Sequence, residues 1–460
     1  MQEEAVVQSF SLKGYGIARL ERPESQGSTP DEFEVAHVIP GDKILFEKTR
    51  VKRRPRKGRL LEVLSPSPDR TEPRCVHART CGGCCWQQMA YSAQLEQKQE
   101  RVKQSFPGMA VDPIIPCASP FGYRNKMEFT FSENRAGDRF LGLMIAQAEP
   151  YVFNVTECHL TKPWFVQVLN GVRSWWVESG LKAYHPPHDT GTLRYLTLRE
   201  GIRTGQKMAV LNVSGNPEFA PNRRQLETFA DAVKGAFPGP ENISIFLRIH
   251  QTKKGRPTQF YEMNLSGPDH IVEELHLKDR ILSFKISPIS FFQPNTLQAE
   301  KLYDTALGML QEGTIVYDLY CGTGTLGMGA SRFAKQVIGI ELSPEAVIDA
   351  KENQVRNGIG NVEIHQGDVG KVLTGLMASP DFKRPDGVIV DPPRAGLDPL
   401  ALQHLKTLFP KKIVYISCNP LTQTENVKEL LKTGYRIKRL QPIDQFPHTY
   451  HIENICLLER

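Results

Sequence analysis

The sequence lacks any run of about 18 apolar residues, the length that a membrane-spanning helix needs. Its first residues, MQEEAVVQSF, do not show the pattern of a secretory signal peptide. No internal repeat or low-complexity tract appears either, and the 40% hydrophobic and 23% charged content is ordinary for a globular protein. These absences predict a soluble, cytoplasmic protein with no membrane partner.

An excess of charge is also missing, because the net charge of the 460 residues is only +6. The cations are unevenly placed, however, and KTRVKRRPRKGR (Lys48 to Arg59) concentrates them in one stretch. Such a stretch favours a phosphate-bearing partner such as a nucleic acid. Charge alone leaves a solvated basic strand without a partner equally open.

The chain divides into three zones by composition, and its length suits two or three domains. Residues 1–65 contain short runs, FSLKGYGIARL, FEVAHVIPGDKILFEKTRV and GRLLEVLSP, which predict the strands of a small β-barrel. The polar, proline-rich SPSPDRTEP (Ser65 to Pro73) predicts a linker. Residues 74–287 predict a mixed α+β central domain, in which MEFTFS, LGLMI, YVFNV, LRYLTLRE and KMAVLNVSG share one sheet and NRRQLETFADAVKGAF is a helix.

Residues 288–460 alternate between strands and helices. The short β-branched runs are TIVYDLY, QVIGIEL, NVEIHQ, GVIVD and IVYISC, with helical stretches between them. This alternation predicts an α/β, doubly wound parallel sheet with ligands at the carboxyl ends of its strands. The chain closes with two further strands, YRIKRLQPI and HIENICLLE, a terminal pair typical of S-adenosylmethionine-dependent methyltransferases.

DLYCGTGTLGM predicts a cofactor loop between a strand and a helix, where glycines allow close approach of the backbone to a ligand. Glu341 ends the next strand and is placed to bind ribose hydroxyls, a geometry that a dehydrogenase would share. Asp368 ends the third strand, where it would meet an adenine amino group or simply cap the following helix. Cys321 is a thiol within the loop whose neighbours suggest backbone contacts to the ligand.

Asp391 ends the fourth strand in GVIVDPPRAGLDP, and two prolines stop the strand there. The turn therefore presents the Asp391 carboxylate to the same pocket. Methyltransferases that act on amino groups use a related Asp/Asn-Pro-Pro-aromatic signature. Arg394 replaces the aromatic residue here, which disfavours methylation of nitrogen.

Cys418, in VYISCNP, ends the fifth strand and is a candidate nucleophile. The ring carbon 5 of a pyrimidine attacks a methyl group only after a thiolate adds to carbon 6, and a base must then remove the carbon-5 proton. Glu453 begins the last strand and can return to the same edge as that base. Taken alone, each residue has an ordinary structural alternative, a small buried side chain for Cys418 and a solvated one for Glu453.

Nine cysteines in a chain without an export signal argue against a disulfide framework. Cys75, Cys81 and Cys84 have the spacing CxxxxxCxxC, which suits a tetrahedral zinc ion or an iron–sulfur cluster, with Cys158 as the best fourth ligand. Cys117 is a weaker candidate. Only one CxxC pair is present, which favours iron–sulfur over a zinc ribbon.

These motifs together resemble the bacterial RNA (uracil-5-)-methyltransferases, particularly the 23S ribosomal RNA branch, over essentially the whole chain. The resemblance implies that residues 1–65 form a TRAM domain, an RNA-binding barrel of the oligonucleotide-binding kind. It implies a 4Fe–4S cluster on Cys75, Cys81, Cys84 and Cys158. SCNP and HIEN correspond to the nucleophile Cys418 and the proton acceptor Glu453. The residues that the resemblance implies as S-adenosylmethionine contacts are Gln293, Tyr320, Thr325, Glu341, Asp368 and Asp391.

The expected activity is therefore methylation of carbon 5 of an unpaired or flipped uridine in RNA, since a stacked base is unreachable. Ribosomal RNA is favoured because the transfer RNA branch generally lacks both the barrel and the cysteine loop. The alternatives are a tRNA uridine, cytosine carbon-5 methylation, and an RNA-binding or assembly factor with a vestigial methyl-donor pocket. Nothing in the sequence demands an oligomer, so we expect a monomer.

Overall fold

An N-terminal barrel opens the fold. The computed structural model describes residues 2–20, 31–49, 56–148, 150–238, 242–252, 255, 258–310 and 313–460. The barrel strands are Gln2–Phe10 (β1), Gly16–Leu20 (β2), Asp31–Val35 (β3), Lys43–Lys48 (β4) and Arg56–Ser65 (β5). They close in the order β1-β2-β3-β5-β4, around a core that includes Val7, Val35, Ile44 and Phe46. The predicted small barrel is confirmed.

The first strand lies earlier than the sequence predicts. Within FSLKGYGIARL, Phe10 ends β1, residues 11–15 form a turn and Gly16–Leu20 is β2. The strand before it, β1, buries Ala5 and Val7 in alternation, a short signal among polar neighbours. Glycine at 14, with φ of 77°, makes the turn.

Three of the four described cations of the basic stretch pair with carboxylates of the barrel, the fourth, Lys57, donates to the Gln147 carbonyl, and residues 50–55 lie outside the described residues. Lys48 pairs with Glu3 at 2.7 Å and Arg56 with Asp31 at 2.6 Å. Arg59 pairs with Glu47. The described part of this stretch therefore offers less free charge to a phosphate backbone than its composition suggests.

The central region is built on a seven-stranded sheet. Its strands are Lys126–Glu133 (β6), Arg139–Met144 (β7), Val152–Asn154 (β8), Leu193–Glu200 (β9), Lys207–Ser214 (β10), Ile243–Gln251 (β11) and Gln259–Ser266 (β12), in the order β12-β11-β10-β9-β6-β7-β8. The helices of the region are Tyr91–Ser105 (α1), Trp164–Ser179 (α2) and Arg223–Lys234 (α3). The five predicted strands share this sheet as expected, and α3 confirms the predicted helix.

A hairpin, Ile271–Leu277 (β13) with Arg280–Ile286 (β14), precedes the last region. Its Leu275, Leu282 and Phe284 belong to the same core cluster as Val316 and Val337. The hairpin therefore packs with the C-terminal region. The predicted domain boundaries at 65–74 and 287–288 stay predictions.

The C-terminal region is a second seven-stranded sheet flanked by helices. Its strands are Ile315–Leu319 (β15), Gln336–Glu341 (β16), Val362–Gln366 (β17), Gly387–Val390 (β18), Lys412–Ser417 (β19), Arg436–Ile443 (β20) and Glu453–Glu459 (β21). Its helices are Thr296–Leu307 (α4), Thr325–Ala330 (α5), Pro344–Arg356 (α6), Val369–Ala378 (α7), Pro399–Leu408 (α8) and Pro420–Leu431 (α9). The order is β17-β16-β15-β18-β19-β21-β20, with the first five strands parallel and β21 antiparallel to both neighbours. The doubly wound sheet and its terminal strand pair are as predicted.

Among the described residues, no helix combines the length and apolar character needed to cross a bilayer.

Candidate active site

A cavity of about 1180 Å³ opens at the carboxyl ends of β15, β16, β18 and β19. Parallel strands of an open sheet present their following loops at this edge, where α/β folds bind ligands. Eight of the residues predicted for catalysis or cofactor binding line it: Gln293, Tyr320, Thr325, Glu341, Asp368, Asp391, Cys418 and Glu453. The structure thus brings all eight together in one cavity.

The cofactor loop turns sharply between β15 and α5. Gly322 and Gly324 have φ values of 55° and 82°, the left-handed region that glycine adopts without strain. Gly327 donates its backbone N–H to Asp318 Oδ2 at 2.7 Å, and a Cβ at Gly327 would lie 2.9 Å from that oxygen. The glycines therefore leave the backbone of the loop uncovered by side chains.

Asp318 is a site residue that the sequence reasoning did not select. It lines the cavity, and its Oδ1 is buried with no hydrogen-bond partner among the described residues. Burial raises the pKa of Asp318 to about 7. An unpaired buried carboxylate oxygen at this place fits a cationic or N–H-bearing group of a ligand.

Glu341 is held from both sides at the tip of β16. Its two carboxylate oxygens accept from the backbone N–H groups of Gly322 at 2.9 Å and Ser343 at 2.8 Å. Asp368 follows β17 and accepts from Lys371 N at 3.1 Å, as the N-cap of α7. The capping interpretation of Asp368 is thus correct, and the same residue also lines the cavity.

Tyr303, another residue the sequence reasoning missed, ties two predicted ligand contacts together. Its buried hydroxyl accepts from Thr325 Oγ1 at 3.4 Å and also interacts with the side chain of Gln293. Tyr320 has a φ of 65° and donates its hydroxyl to Asp398 at 2.8 Å. The only sequence signal for Tyr303 is its place on the buried face of α4.

Cys418 and Glu453 lie on neighbouring strands at the same edge. Ser417, the last residue of β19, pairs in register with Asn454 of β21. Cys418 and Glu453 are therefore the next residues outward on that ladder, where Cα atoms of opposed residues are about 4.5–5.5 Å apart. Asn419 caps α9 and donates its N–H to Ser417 Oγ at 3.1 Å, so Cys418 sits in a tight strand-to-helix turn.

The site disfavours negative charge. Burial raises the pKa of the Cys418 thiol to about 11, and Glu453 adds to this rise while Arg394 opposes it. Burial also raises the pKa of Glu453 well above its ordinary value and that of Asp391 to about 7. The cavity is therefore poised to hold protonated acids, with Arg394 as a cation that favours their ionisation.

Arg394 and His451 form a pair that the sequence reasoning did not assign. Arg394 Nη2 donates to His451 Nδ1 at 2.6 Å, and both side chains line the cavity. Burial and Arg394 lower the pKa of His451 to about 3, so the imidazole is a neutral acceptor. The backbone carbonyl of Arg394 accepts from Asn419 and Thr422, which fixes the Asp-Pro-Pro-Arg turn against α9.

The four predicted metal ligands group in space. Burial raises the pKa of Cys75 to about 11 and that of Cys84 well above its ordinary value, and their neighbours Cys81 and Cys158 add to both rises. Cys85 packs with the cluster that contains Trp86 and Tyr450. Within the described parts of the chain, no three His, Cys, Asp or Glu side chains are arranged to hold a metal ion.

Comparison with known proteins agrees with this geometry. The family model described as tRNA (Uracil-5-)-methyltransferase matches residues 260–460. An uncharacterised RNA methyltransferase of Protochlamydia amoebophila is 48% identical over 444 residues, which is 93% of this chain and 99% of that protein. An uncharacterised RNA methyltransferase of Clostridium tetani is 35% identical over 93% of this chain and 92% of its own.

Among solved structures, the tRNA (uracil-54, C5)-methyltransferase of Pyrococcus abyssi in complex with S-adenosyl-L-homocysteine is similar to this chain. The TM-score is 0.74 at 26% identity, over 99% of this chain and 100% of that one. Relatives that share nearly the full length, and a cavity built on a methyltransferase sheet, lead to one assignment. The chain belongs to the S-adenosylmethionine-dependent RNA (uracil-5-)-methyltransferase family.

Proposed function

We propose that this enzyme methylates carbon 5 of a uridine in RNA, with Cys418 as the nucleophile and Glu453 as the proton acceptor. The observation that carries the proposal is the placement of these two residues at adjoining strand ends, β19 and β21, in the cavity that the cofactor loop also lines. Carbon-5 methylation needs one thiol and one base beside the methyl donor. Arg394 in place of an aromatic residue argues against an amino-group substrate.

Residues of this chain fit S-adenosylmethionine, which supplies an electrophilic methyl group when bound. Glu341, at the tip of β16, would bind the ribose hydroxyls. The free Oδ1 of Asp318 would accept from the amino group of the methionine portion. Asp368 would meet the adenine amino group, and Asp391, Gln293, Tyr320 and Thr325 complete the proposed contacts.

The steps assigned to the protein balance in atoms and charge. The Cys418 thiol gives its proton to solvent, and the resulting thiolate adds to carbon 6 of the uracil, which places electron density on carbon 5. Once carbon 5 carries the methyl group, the Glu453 carboxylate removes its remaining proton. The electron pair of that C–H bond re-forms the double bond between carbons 5 and 6 and expels the thiolate.

The raised pKa values suit this order of events. Glu453 raises the pKa of Cys418, so two adjacent anions are disfavoured in the empty cavity. Consumption of the thiolate by addition to the base removes that repulsion, and Glu453 can then ionise. Arg394, which opposes both pKa rises, is placed to stabilise the anion that remains.

The proposed substrate is 23S ribosomal RNA, with the uridine unpaired or flipped out of its helix. The cysteine loop supports ribosomal RNA as the substrate, because the transfer RNA branch of the family generally lacks this loop. A tRNA uridine is the second candidate, and the Pyrococcus neighbour favours it, because that tRNA enzyme matches 99% of this chain, barrel included. The barrel therefore does not discriminate between the two RNAs.

A trapping experiment tests the chemistry. RNA containing 5-fluorouridine should accumulate a covalent complex, because fluorine at carbon 5 cannot leave as a proton. Absence of the complex with wild type, or its persistence in Cys418→Ala, would refute the assigned nucleophile. Nucleoside analysis distinguishes 5-methyluridine from 5-methylcytidine, and mapping in cells that lack the enzyme distinguishes ribosomal from transfer RNA.

We further propose that Cys75, Cys81, Cys84 and Cys158 hold a 4Fe–4S cluster. Their mutual proximity supports it: Cys84 packs with Cys158, and Cys81 and Cys158 both raise the pKa of Cys75 and of Cys84, a repulsion that a cationic centre would relieve. Four thiolates are the ordinary ligand set for such a cluster. Anaerobic protein with four irons and four sulfides per chain would agree, whereas stoichiometric zinc without sulfide would overturn it. We expect a monomer, which sedimentation would test.

A further inference from the structure

The segment Asp444–Ile452 joins β20 to β21 and forms one wall of the active-site cavity. Phe446, Thr449 and His451 of this segment line the cavity, and Glu453 follows it directly. The segment contains no helix or strand. Its position must therefore be set by what packs against it, and it leads directly into Glu453, whose backbone pairs with Ile443 of β20.

Side chains of α1 hold this segment at several points, in addition to contacts from Ile115, Asn295, Trp86 and Tyr123. Lys98 Nζ donates to Asp444 Oδ1 at 2.5 Å and to the carbonyl of Phe446 at 2.9 Å. The side chains of Lys98 and Asp444 are both 0% exposed. A buried ion pair is held in one geometry because either charge left alone is strongly destabilising.

Gln94 repeats the arrangement one turn earlier on α1. Its Oε1 accepts from the backbone N–H of His448 at 2.8 Å, and its Nε2 lies 3.2 Å from His448 Nδ1. One turn later, Arg101 donates to the carbonyl of Tyr450 at 2.9 Å. Three side chains on consecutive turns of one helix thus hold the segment at three points.

We propose that Lys98 is a positioning residue for the carbon-5 deprotonation step, acting through Asp444 and Phe446 on the segment that places Glu453. The proposal rests on the proposed function, because it takes Glu453 as the proton acceptor. Lys98 touches neither Cys418 nor the cofactor loop by any described hydrogen bond, so its loss affects the base more than the nucleophile.

Failure of the carbon-5 deprotonation would leave a detectable covalent product. If Glu453 is misplaced, Cys418 still adds to carbon 6 and carbon 5 still receives its methyl group. The carbon-5 proton then stays in place, the thiolate is not expelled, and the enzyme remains bonded to ordinary uridine RNA. A covalent complex without fluorinated RNA is therefore the signature of a positioning defect at the base.

The test compares Lys98→Met with Lys103→Met, an exposed lysine on the same helix. We expect kcat to fall by about 100-fold in Lys98→Met, as for a small misplacement of a catalytic group. The covalent complex should accumulate on denaturing gels, while KM for S-adenosylmethionine stays near the wild-type value. Lys103→Met should behave as wild type.

The double variant Lys98→Met with Asp444→Asn guards against misfolding, since it leaves no unpaired buried charge. Its melting temperature should be close to that of the wild type. It should still accumulate the covalent complex, because the hydrogen bond from Lys98 to the Phe446 carbonyl is lost. Equal loss of complex and turnover, or unchanged kcat in the folded double variant, would overturn the inference. Glu453→Gln separates the two proposals: if it also fails to accumulate the complex, the assignment of Glu453 is wrong, whatever Lys98 does.

Discussion

At the scale of single residues, the proposed nucleophile Cys418 has a thiol pKa well above that of a free cysteine. Cys418 is half-buried beside two carboxyl groups, and burial raises the pKa of its thiol to about 11. Only the thiolate adds to a pyrimidine. The thiol of Cys418 is therefore protonated at neutral pH in the empty cavity, which protects the proposed nucleophile from oxidation.

Alkylation of Cys418 measures this directly. Because thiolate is the reactive form, its rate with iodoacetamide should rise about tenfold per pH unit and still be rising near pH 10. Arg394→Leu should lower the rate at every such pH, since Arg394 is the group that lowers the pKa of this thiol. Peptide mass spectrometry separates Cys418 from the other cysteines. A plateau below about pH 9 would show that the thiol is not desolvated.

Asp391 gives a prediction about stability and pH. Burial raises its pKa from 3.8 to about 7, so the folded state binds a proton that the unfolded state has released. The stability contributed by this group is thus fully present at low pH and is lost as the pH rises toward 7. Asp391→Asn should raise the melting temperature, and by more near pH 8 than near pH 5.

Asp386, at the other end of the same strand, supplies the control. Its pKa is lowered by the backbone N–H of Ile315 and by Lys411, so its charge is favoured in the folded state. Asp386→Asn should therefore lose stability at neutral pH, the opposite sign. A change in melting temperature for Asp391→Asn that does not vary with pH would show that burial does not raise the pKa of this carboxyl group.

Residue-level prediction from sequence worked where a motif fixes a strand end. Cys418, Asp391 and Glu341 each follow a β-branched run, and each lies in the cavity. Tyr303 and His451 carry no such signal, because each reaches the site through packing of a helix or an irregular segment. Asp318 begins a recognised loop, but only the structure shows that one of its oxygens is unpaired.

At the scale of elements, the turn between β1 and β2 connects the barrel to the active site. Gly14, at φ of 77°, lies so close to Tyr450 that a Cβ would stand 2.7 Å from the Tyr450 Cβ. Trp86 Nε1 donates to the Gly14 carbonyl at 3.0 Å. The next residue, Tyr15, lines the catalytic cavity. The barrel is thus docked by contacts that tolerate no side chain at position 14.

Gly14→Ala should be more costly than an ordinary glycine substitution. Both Gly14 and Gly205 have positive φ, but no atom lies within 4 Å of a Cβ at Gly205. Gly205→Ala should cost about 1–2 kcal/mol of folding free energy from backbone strain alone. Gly14→Ala adds overpacking of about 1–3 kcal/mol and should also weaken RNA binding.

Chemical denaturation gives both free energies, and filter binding gives the RNA affinity of each variant. Similar losses of folding free energy for Gly14→Ala and Gly205→Ala would mean that the barrel turn accommodates the added methyl group without overpacking. Unchanged RNA affinity in Gly14→Ala would mean that the docking of the barrel does not shape the substrate site.

Elements were predictable from sequence when their buried face is apolar. Strands β18 and β19 are nearly continuous apolar runs, β17 alternates between apolar and polar residues, and α3 shows a clear apolar stripe. Helix α1 gave no such signal, because its buried face includes Gln94 and Lys98, whose partners are polar groups of a distant segment. Periodicity of hydrophobic residues cannot reveal a helix that buries hydrogen-bonding side chains.

At the scale of the whole molecule, the cysteine loop and the catalytic segment are joined although they lie more than 350 residues apart. Trp86, next to Cys84 and Cys85, donates its N–H to the His448 carbonyl at 3.0 Å. Tyr123 packs with Cys84 and donates its hydroxyl to the Pro447 carbonyl at 3.0 Å. No sequence pattern predicts this contact, because it joins two irregular segments through backbone carbonyls.

Removal of the proposed cluster should therefore be felt at the active site. Without the cluster, the four thiols lose the metal centre that they bind together, and the loop of residues 75–90 is free to open. We expect faster amide exchange there and, through Trp86 and Tyr123, in residues 444–452, where exchange reports local opening. Strands β15 to β17 make no such contact and should exchange as before. Hydrogen exchange with mass spectrometry, before and after chelation of iron, measures all three regions in one experiment. Faster exchange confined to residues 75–90 would show that the cluster stabilises its own loop alone, and that the catalytic segment depends on α1 without it.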